Sequence, residues 1–244
     1  MPSIIGWGIT LDDSNTDCCN WKIDGTPNLT LEYGDLTNNE TILKFVARIL
    51  SSSKCAKGVN LVVGDGGFVQ ARDKEDQETM MHRLILCQMI TMYHILQPGG
   101  NFVCKTFEIS NQFSISLIAL LVSTFHQVAI VKPVTSRPAS SERYIIAKNL
   151  RQRSSEKQLQ ELLQLNANWN DTKDDRRMVA TTIPKIVYSK LKDIHYRLAT
   201  VQEQACRAIL EYAMTQGKGG GGGHHSYHQA KTINRHAYYD YWGV

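Results

Sequence analysis

The stretch Gly58 to Phe68, GVNLVVGDGGF, decides how the chain is read. A short apolar run passes straight into Gly64-Asp65-Gly66-Gly67. A run of this length bounded by glycines predicts a buried strand that ends in a turn. An aspartate at the tip of a buried strand needs a reason, and the neighbouring elements supply one.

Upstream, SIIGWGITL (3–11) reads as a short strand, and residues 12–34 are polar and irregular. In ETILKFVARIL (40–50), Ile42, Leu43, Phe45, Val46, Ile49 and Leu50 recur at helical spacing. Downstream, a long apolar helix begins near Thr79, runs through MMHRLILCQMITMYHIL and is stopped by QPGG (97–100). NFVCKTF (101–107) is the next strand, SISLIALLVSTF (114–125) a helix, HQVAIVKP a strand, and ERYIIAKNL (142–150) another. Strands that alternate with helices in this way argue for an α/β fold, an open and mostly parallel sheet with helices on both faces. The connection from 132 to 142 is short, so the last two strands form an antiparallel hairpin. Ligands in such sheets lie beyond the carboxyl ends of the strands, and Asp65 stands at that rim.

After residue 150 the texture changes. SSEKQLQELLQL (154–165) is an amphipathic helix, 166–182 is loop-like, and TIPKIVYSKLKDIHYRL and ATVQEQACRAILEYAMTQ read as two further helices. GKGGGGGHHSYH (217–228) is of low complexity and expected to be flexible. The expected organisation is therefore a sheet domain over 1–150 and a mainly helical extension over 151–244.

Composition narrows the class without naming it. The 244 residues carry a net charge of +4, which is compatible with a nucleic-acid partner but does not require one. The six cysteines include no C-x-x-C pair, which argues for reduced core thiols rather than a disulfide frame or a zinc site. ISLIALLVSTF, an extended apolar run, is about half the length of a membrane span, so no membrane role is expected, nor any metal.

Three polar residues sit at strand ends that would converge: Asp65, Lys105 and Glu142. A lysine inside FVCKTF is costly to bury unless it is paired, and the two carboxylates would pair it. A structural ion network would use the same residues, but three of them on one rim favour a functional site.

The run KPVTSRPASSERY (132–144) fits Lys-Pro-x-x-Ser-Arg-x-x-Ser-x-Glu-x-Tyr. This pattern resembles the FtsJ/RrmJ-type ribose 2′-O-methyltransferases. VVGDGGF, LCQMITMYHILQPGGNFVCKTF and the terminal WGV are most similar to the branch that methylates eukaryotic mRNA caps. The resemblance covers residues 4–150 and implies a Rossmann-like methyltransferase sheet, S-adenosyl-L-methionine as cofactor and the capped 5′ end of mRNA as partner. It also implies a nuclear setting beside the transcription machinery. Family enzymes use a Lys-Asp-Lys-Glu tetrad, onto which Asp65, Lys105 and Glu142 map. Asp35 matches a position that contacts the cofactor's adenine, although a turn or helix-cap role fits it equally. Thr10 and Leu11 would line the same pocket. Ser136, Arg137 and Ser140 would shape the loop beside the target nucleotide, with Arg137 either meeting a phosphate or bracing the hairpin.

The sequence also departs from the family. The Gly-rich cofactor loop after the first strand and the first lysine of the tetrad have no counterpart here. In the methyltransferase sheet that strand is central, so its loss is expected to leave a gap with two unpaired strand edges. The expectation is a fragment of a longer protein that is by itself a poor or inactive catalyst. The alternatives are an rRNA or tRNA 2′-O-methyltransferase and a truncated, non-catalytic RNA-binding relative.

Overall fold

A computed structural model describes residues 4–11, 28–67, 77–169, 179 and 182–216. Its elements are β1 (Gly6–Thr10), β2 (Leu29–Tyr33), α1 (Asn39–Ser51), β3 (Val59–Gly64), α2 (Gln77–Ile95), β4 (Leu96–Thr106), α3 (Gln112–Thr124), β5 (Phe125–Val131), β6 (Arg143–Leu150), α4 (Glu156–Ala167) and α5 (Lys185–Gln216). The mixed α/β architecture is the one expected. The Gly/His-rich segment 217–228 lies outside the described residues.

The strands make two sheets. β1 and β2 pair in parallel, from Gly6 opposite Leu29 to Thr10 opposite Tyr33. The second sheet has the order β3-β4-β6-β5. Within it β3 is parallel to β4, and β6 runs against both β4 and β5. The hairpin of β5 and β6 is antiparallel as read, and β6 is wedged between its partner and β4. No ladder joins β1 and β2 to β3 among the described residues, in line with the expected gap.

Four expectations about individual elements need correction. The 12–34 segment is not irregular throughout, because Leu29–Tyr33 is the strand β2; five residues with no apolar run are a weak signal on their own, and pairing with β1 supplies the rest. β3 is not buried: Leu61 is 55% and Val63 60% exposed. Apolarity marks a strand that could be covered, but among the described residues β3 has a hydrogen-bonded neighbour on one side only, and the face that carries Leu61 and Val63 is left open. QPGG does not separate helix from strand, since β4 starts at Leu96 and includes it. The two C-terminal helices are one, α5, because no Gly or Pro interrupts Lys185–Gln216.

Burial explains the helices. α1 has Asn38 as its N-cap, whose side chain accepts from the Glu40 amide, and it turns Ile42, Phe45, Val46 and Ile49 inward. α2 is buried on nearly every side, as its lack of a polar stripe requires. The β3–β4 strands lie against it on one side and α1 and α4 on the other. α3 is likewise covered by β5, β6 and α5. Leu159, Leu162 and Leu163 of α4 and Val187, Leu191 and Leu198 of α5 join the same hydrophobic cluster as the sheet. Asn166 of α4 is buried and donates to the Thr37 carbonyl at 2.9 Å and to Asn39 Oδ1 at 2.7 Å, pinning α4 to the start of α1.

Candidate active site at the strand ends

Register brings three side chains together. Gly64 lies opposite Cys104, so Asp65, the next residue, stands beside Lys105. Lys105 in turn faces Tyr144 across the β4–β6 ladder. Lys105 Nζ donates to the Asp65 carbonyl at 2.9 Å and lies 3.0 Å from Asp65 Oδ1. The Tyr144 hydroxyl donates to the same Oδ1 at 3.2 Å. The lysine side chain is 16% exposed and the aspartate 62%. A pair this open contributes only about 0–1 kcal/mol to stability, so stability alone gives little reason for it.

The glycines around Asp65 answer the question of the opening stretch. A Cβ on Gly64 would lie 2.4 Å from Gln88 Oε1, and one on Gly66 would lie 2.9 Å from Leu84 Cδ2. A side chain at either position would press on a buried α2 side chain, so bare positions let the turn rest on α2 without displacing Gln88 or Leu84. Gln88 Oε1 then accepts from the Gly66 amide at 3.2 Å, while its Nε2 donates to the Leu84 carbonyl. A buried glutamine of α2 thus carries the turn that presents Asp65.

Burial, reinforced by the charges of Asp65 and Glu142, pushes the Tyr144 phenol up to about 12. It is a neutral donor to Asp65 at physiological pH. Glu142 is placed differently. Its amide donates to Ser140 Oγ at 3.2 Å, but its carboxylate makes no hydrogen bond or ion pair among the described residues. The structure thus brings Asp65 and Lys105 into contact and leaves the Glu142 carboxylate unpaired nearby.

Lys132 organises the loop that leads to Glu142. It is 3% exposed, and its Nζ donates to the Ser140 carbonyl at 2.6 Å, the Glu142 carbonyl at 3.1 Å and Ser136 Oγ at 3.4 Å. Burial holds its ammonium below the usual lysine range, Arg143 and Arg137 push the same way, and Glu142 opposes them. Ser136 and Ser140 are therefore held through Lys132. Arg137 is exposed and its side chain has no partner among the described residues. Lys132 and Tyr144 were absent from the residues singled out in the sequence, although both are fixed letters of the 132–144 pattern.

Thr10, Leu11 and Asp35 form a separate group at the ends of β1 and β2, where the Gly34 amide donates to the Thr10 carbonyl at 2.8 Å. Asp35 Oδ1 accepts from the Thr37 amide and hydroxyl, both at 2.8 Å, so it does serve a turn. A polar cleft beside it is lined by Asp35, Thr37, Asn39, Arg83 and Asn166. Asp35 Oδ2 remains available to an exocyclic amine, and Leu11 is an exposed apolar surface. This donor set fits the adenine end of S-adenosyl-L-methionine. No hydrogen bond or ion pair links this group to Asp65 and Lys105 among the described residues.

No cluster of three or more His, Cys, Asp or Glu that could hold a metal occurs among the described residues, and no described helix is long and apolar enough to cross a membrane.

Comparisons with known proteins establish the family. The FtsJ-like methyltransferase family matches residues 6–150. The cap-specific mRNA (nucleoside-2′-O-)-methyltransferase 1 of Danio rerio is 34% identical over 178 residues, 73% of this chain and 21% of that protein. The Homo sapiens protein of the same name is 41% identical over 118 residues, 48% of this chain and 14% of that protein. The chain thus spans about a fifth or less of the length of these relatives. A solved putative ribosomal RNA methyltransferase from Plasmodium falciparum is 20% identical, with a TM-score of 0.41 over 52% of this chain and 66% of that one, too slight a likeness to add to the assignment. A match over residues 6–150, across both sheets and the Asp65–Lys105 pair, makes this chain a member of the FtsJ-like methyltransferase family.

Proposed function

We propose that this chain carries the reaction rim of an enzyme that methylates the ribose 2′-hydroxyl of the first transcribed nucleotide of capped mRNA. The observation that carries the proposal is the Lys105 ammonium. It has three donor hydrogens, and Asp65 engages it through a carbonyl and a carboxylate oxygen. One donor is left for a substrate oxygen at the open end of the strand.

A ribose hydroxyl is a weak nucleophile that gains negative charge as it reacts. A fixed ammonium beside it stabilises that charge and holds the oxygen in line. Asp65 fixes the ammonium, Tyr144 fixes Asp65 from the β6 side, and the Glu142 carboxylate is left free to face substrate. S-adenosyl-L-methionine supplies an electrophilic methyl group on a positive sulfur when bound, and Thr10, Leu11 and Asp35 would hold its adenine. Ser136, Arg137 and Ser140 sit on the loop held by Lys132 and would border the nucleotide. The cap preference rests on the relatives' names; a nuclear setting and contact with the transcription machinery belong to the proposal only as what that preference would imply.

The two residue groups stand on two sheets with no ladder between them among the described residues, so the 244 residues alone are expected to bind the cofactor weakly. The test is methyl transfer from labelled cofactor to a short capped RNA, with protein in excess and Lys105→Ala alongside. Slow transfer that Lys105→Ala abolishes, with RNA affinity kept, supports the proposal. Equal transfer in both removes Lys105 from the chemistry. Transfer to uncapped RNA of equal rate favours an rRNA or tRNA substrate, and RNA binding without any transfer favours the non-catalytic reading.

A further inference from the structure

Beyond the residues matched by the family, α5 has a flank that the methyltransferase reading does not use. Its inner face is apolar and docked through Val187, Leu191 and Leu198. Lys185, Tyr188, Lys192 and Tyr196 follow one another at intervals of three and four residues and so line one side of the helix. Tyr188 is 51% and Tyr196 74% exposed. None of these four side chains has a hydrogen bond or ion pair among the described residues.

The flank leads to the site. Gln202, fourteen residues beyond Tyr188, is about 40° round the helix from it and about 120° from Tyr196, on the side adjoining the stripe, and its Nε2 donates to the Ala139 carbonyl at 3.2 Å. Ala139 belongs to the loop that carries Ser136, Arg137 and Ser140. Tyr196 is about 9 Å along the helix axis from Gln202, and successive members of the stripe are about 5–6 Å apart. The stretch from Lys185 to Gln202 has Asp193 as its sole carboxylate. Asp193 borders the stripe, sharing a surface hollow with Lys192, Tyr196 and Arg197, but it is outnumbered by the cations Lys185, Lys190, Lys192 and Arg197 of the same stretch.

We propose that this flank of α5 is a track for single-stranded RNA that continues from the 132–142 loop. Lys185 and Lys192 would meet phosphates, and Tyr188 and Tyr196 would offer faces on which bases stack. The choice of RNA rests on the methyltransferase reading. The chemistry favours it too, because exposed aromatics interleaved with cations that outnumber the one neighbouring carboxylate suit a polyanion with flat bases better than an apolar protein surface.

The experiment is fluorescence anisotropy of a 5′-fluorescein-labelled, uridine-rich single strand of about ten nucleotides, titrated with the full chain at several salt concentrations. Lys192→Glu is expected to weaken binding about tenfold or more at low salt. It should also make the log–log salt dependence shallower by about 0.7, the contribution of one phosphate on a single strand. Lys192→Gln should show the same change in slope with a smaller loss. Tyr196→Ala is expected to cost about fivefold or more, within the range of one lost stack, and Tyr196→Phe to retain binding. Lys190→Glu, a like charge reversal on another side of α5, should stay within about twofold. Equal losses from Lys192→Glu and Lys190→Glu would overturn the track in favour of diffuse attraction, and so would no binding by the parent chain or no effect of Tyr196→Ala. Methyl transfer measured on the same preparations keeps the two proposals apart, since a chain that binds RNA along α5 without transferring methyl groups refutes only the catalytic one.

Discussion

Replacing Lys132 by methionine keeps most of the side chain's bulk and deletes its ammonium. The Ser140 and Glu142 carbonyls, now 2.6 and 3.1 Å from Nζ, lose their donor; Ser136 Oγ, at 3.4 Å, loses little. A buried acceptor left unpaired costs about 1–3 kcal/mol, so the two carbonyls together cost about 2–6 kcal/mol. Relief opposes this, because the cation is 3% exposed and two arginines stand near it. Exchanging buried charge for apolar groups is worth about 1–4 kcal/mol in favourable cases. Central values leave a net loss of about 1–2 kcal/mol. Urea unfolding followed by circular dichroism would register it as a fall in midpoint of about 0.5–1 M, taking a slope near 2 kcal/mol/M. Hydrogen exchange would locate it, with amides of residues 134–142 exchanging faster while those of α2 do not. A Lys132→Met protein as stable as its parent, with unchanged exchange in that loop, would refute the view that this lysine holds the loop closed.

Two further outcomes are expected. Burial pushes the Cys87 and Cys104 thiols from an ordinary value near 9.0 up to about 12. The folded values lie above the unfolded ones, so this stability is fully present below about pH 9 and is lost as pH rises toward 12. Urea midpoints at pH 8, 9.5 and 11 should fall in that order, and Cys104→Ala should flatten the fall. Gln88→Leu leaves the Gly66 amide without its acceptor. Methyl transfer should drop about tenfold at unchanged RNA affinity, with faster exchange at the Gly66 amide, whereas unchanged transfer would show that Gln88 does not support the site.

The sequence made the Asp65–Lys105 contact legible because both residues stand out against apolar strands whose ends had to share a rim. Tyr144 and Lys132 were harder to see. A tyrosine in ERYIIAKNL and a lysine closing HQVAIVKP look like ordinary strand residues, and their roles appear only when β6 lies beside β4 and the 132–142 loop folds back on itself. Periodicity found α1, α2, α3 and α4, each with a long or amphipathic apolar pattern. It could not find β2, which takes its structure from β1 across a long connection. Nor could it foresee that Leu61 and Val63 would be exposed, since apolar residues report a preference for cover and not whether cover is supplied.

The position of β6 bears on how the chain acquires its shape. Among the described residues β5 has its ladder with β6 alone, and β4 reaches β5 only through β6. The last of the described strands is thus the keystone of the four-stranded sheet. During synthesis from the N-terminus, β4 can pair with β3, but β5 has no strand to join until residues 143–150 have emerged. Completion of the sheet therefore waits on contacts between distant parts of the chain, which slows folding. Until then β4 and β5 present open edges together, and this is the interval in which a nascent chain is most exposed to self-association.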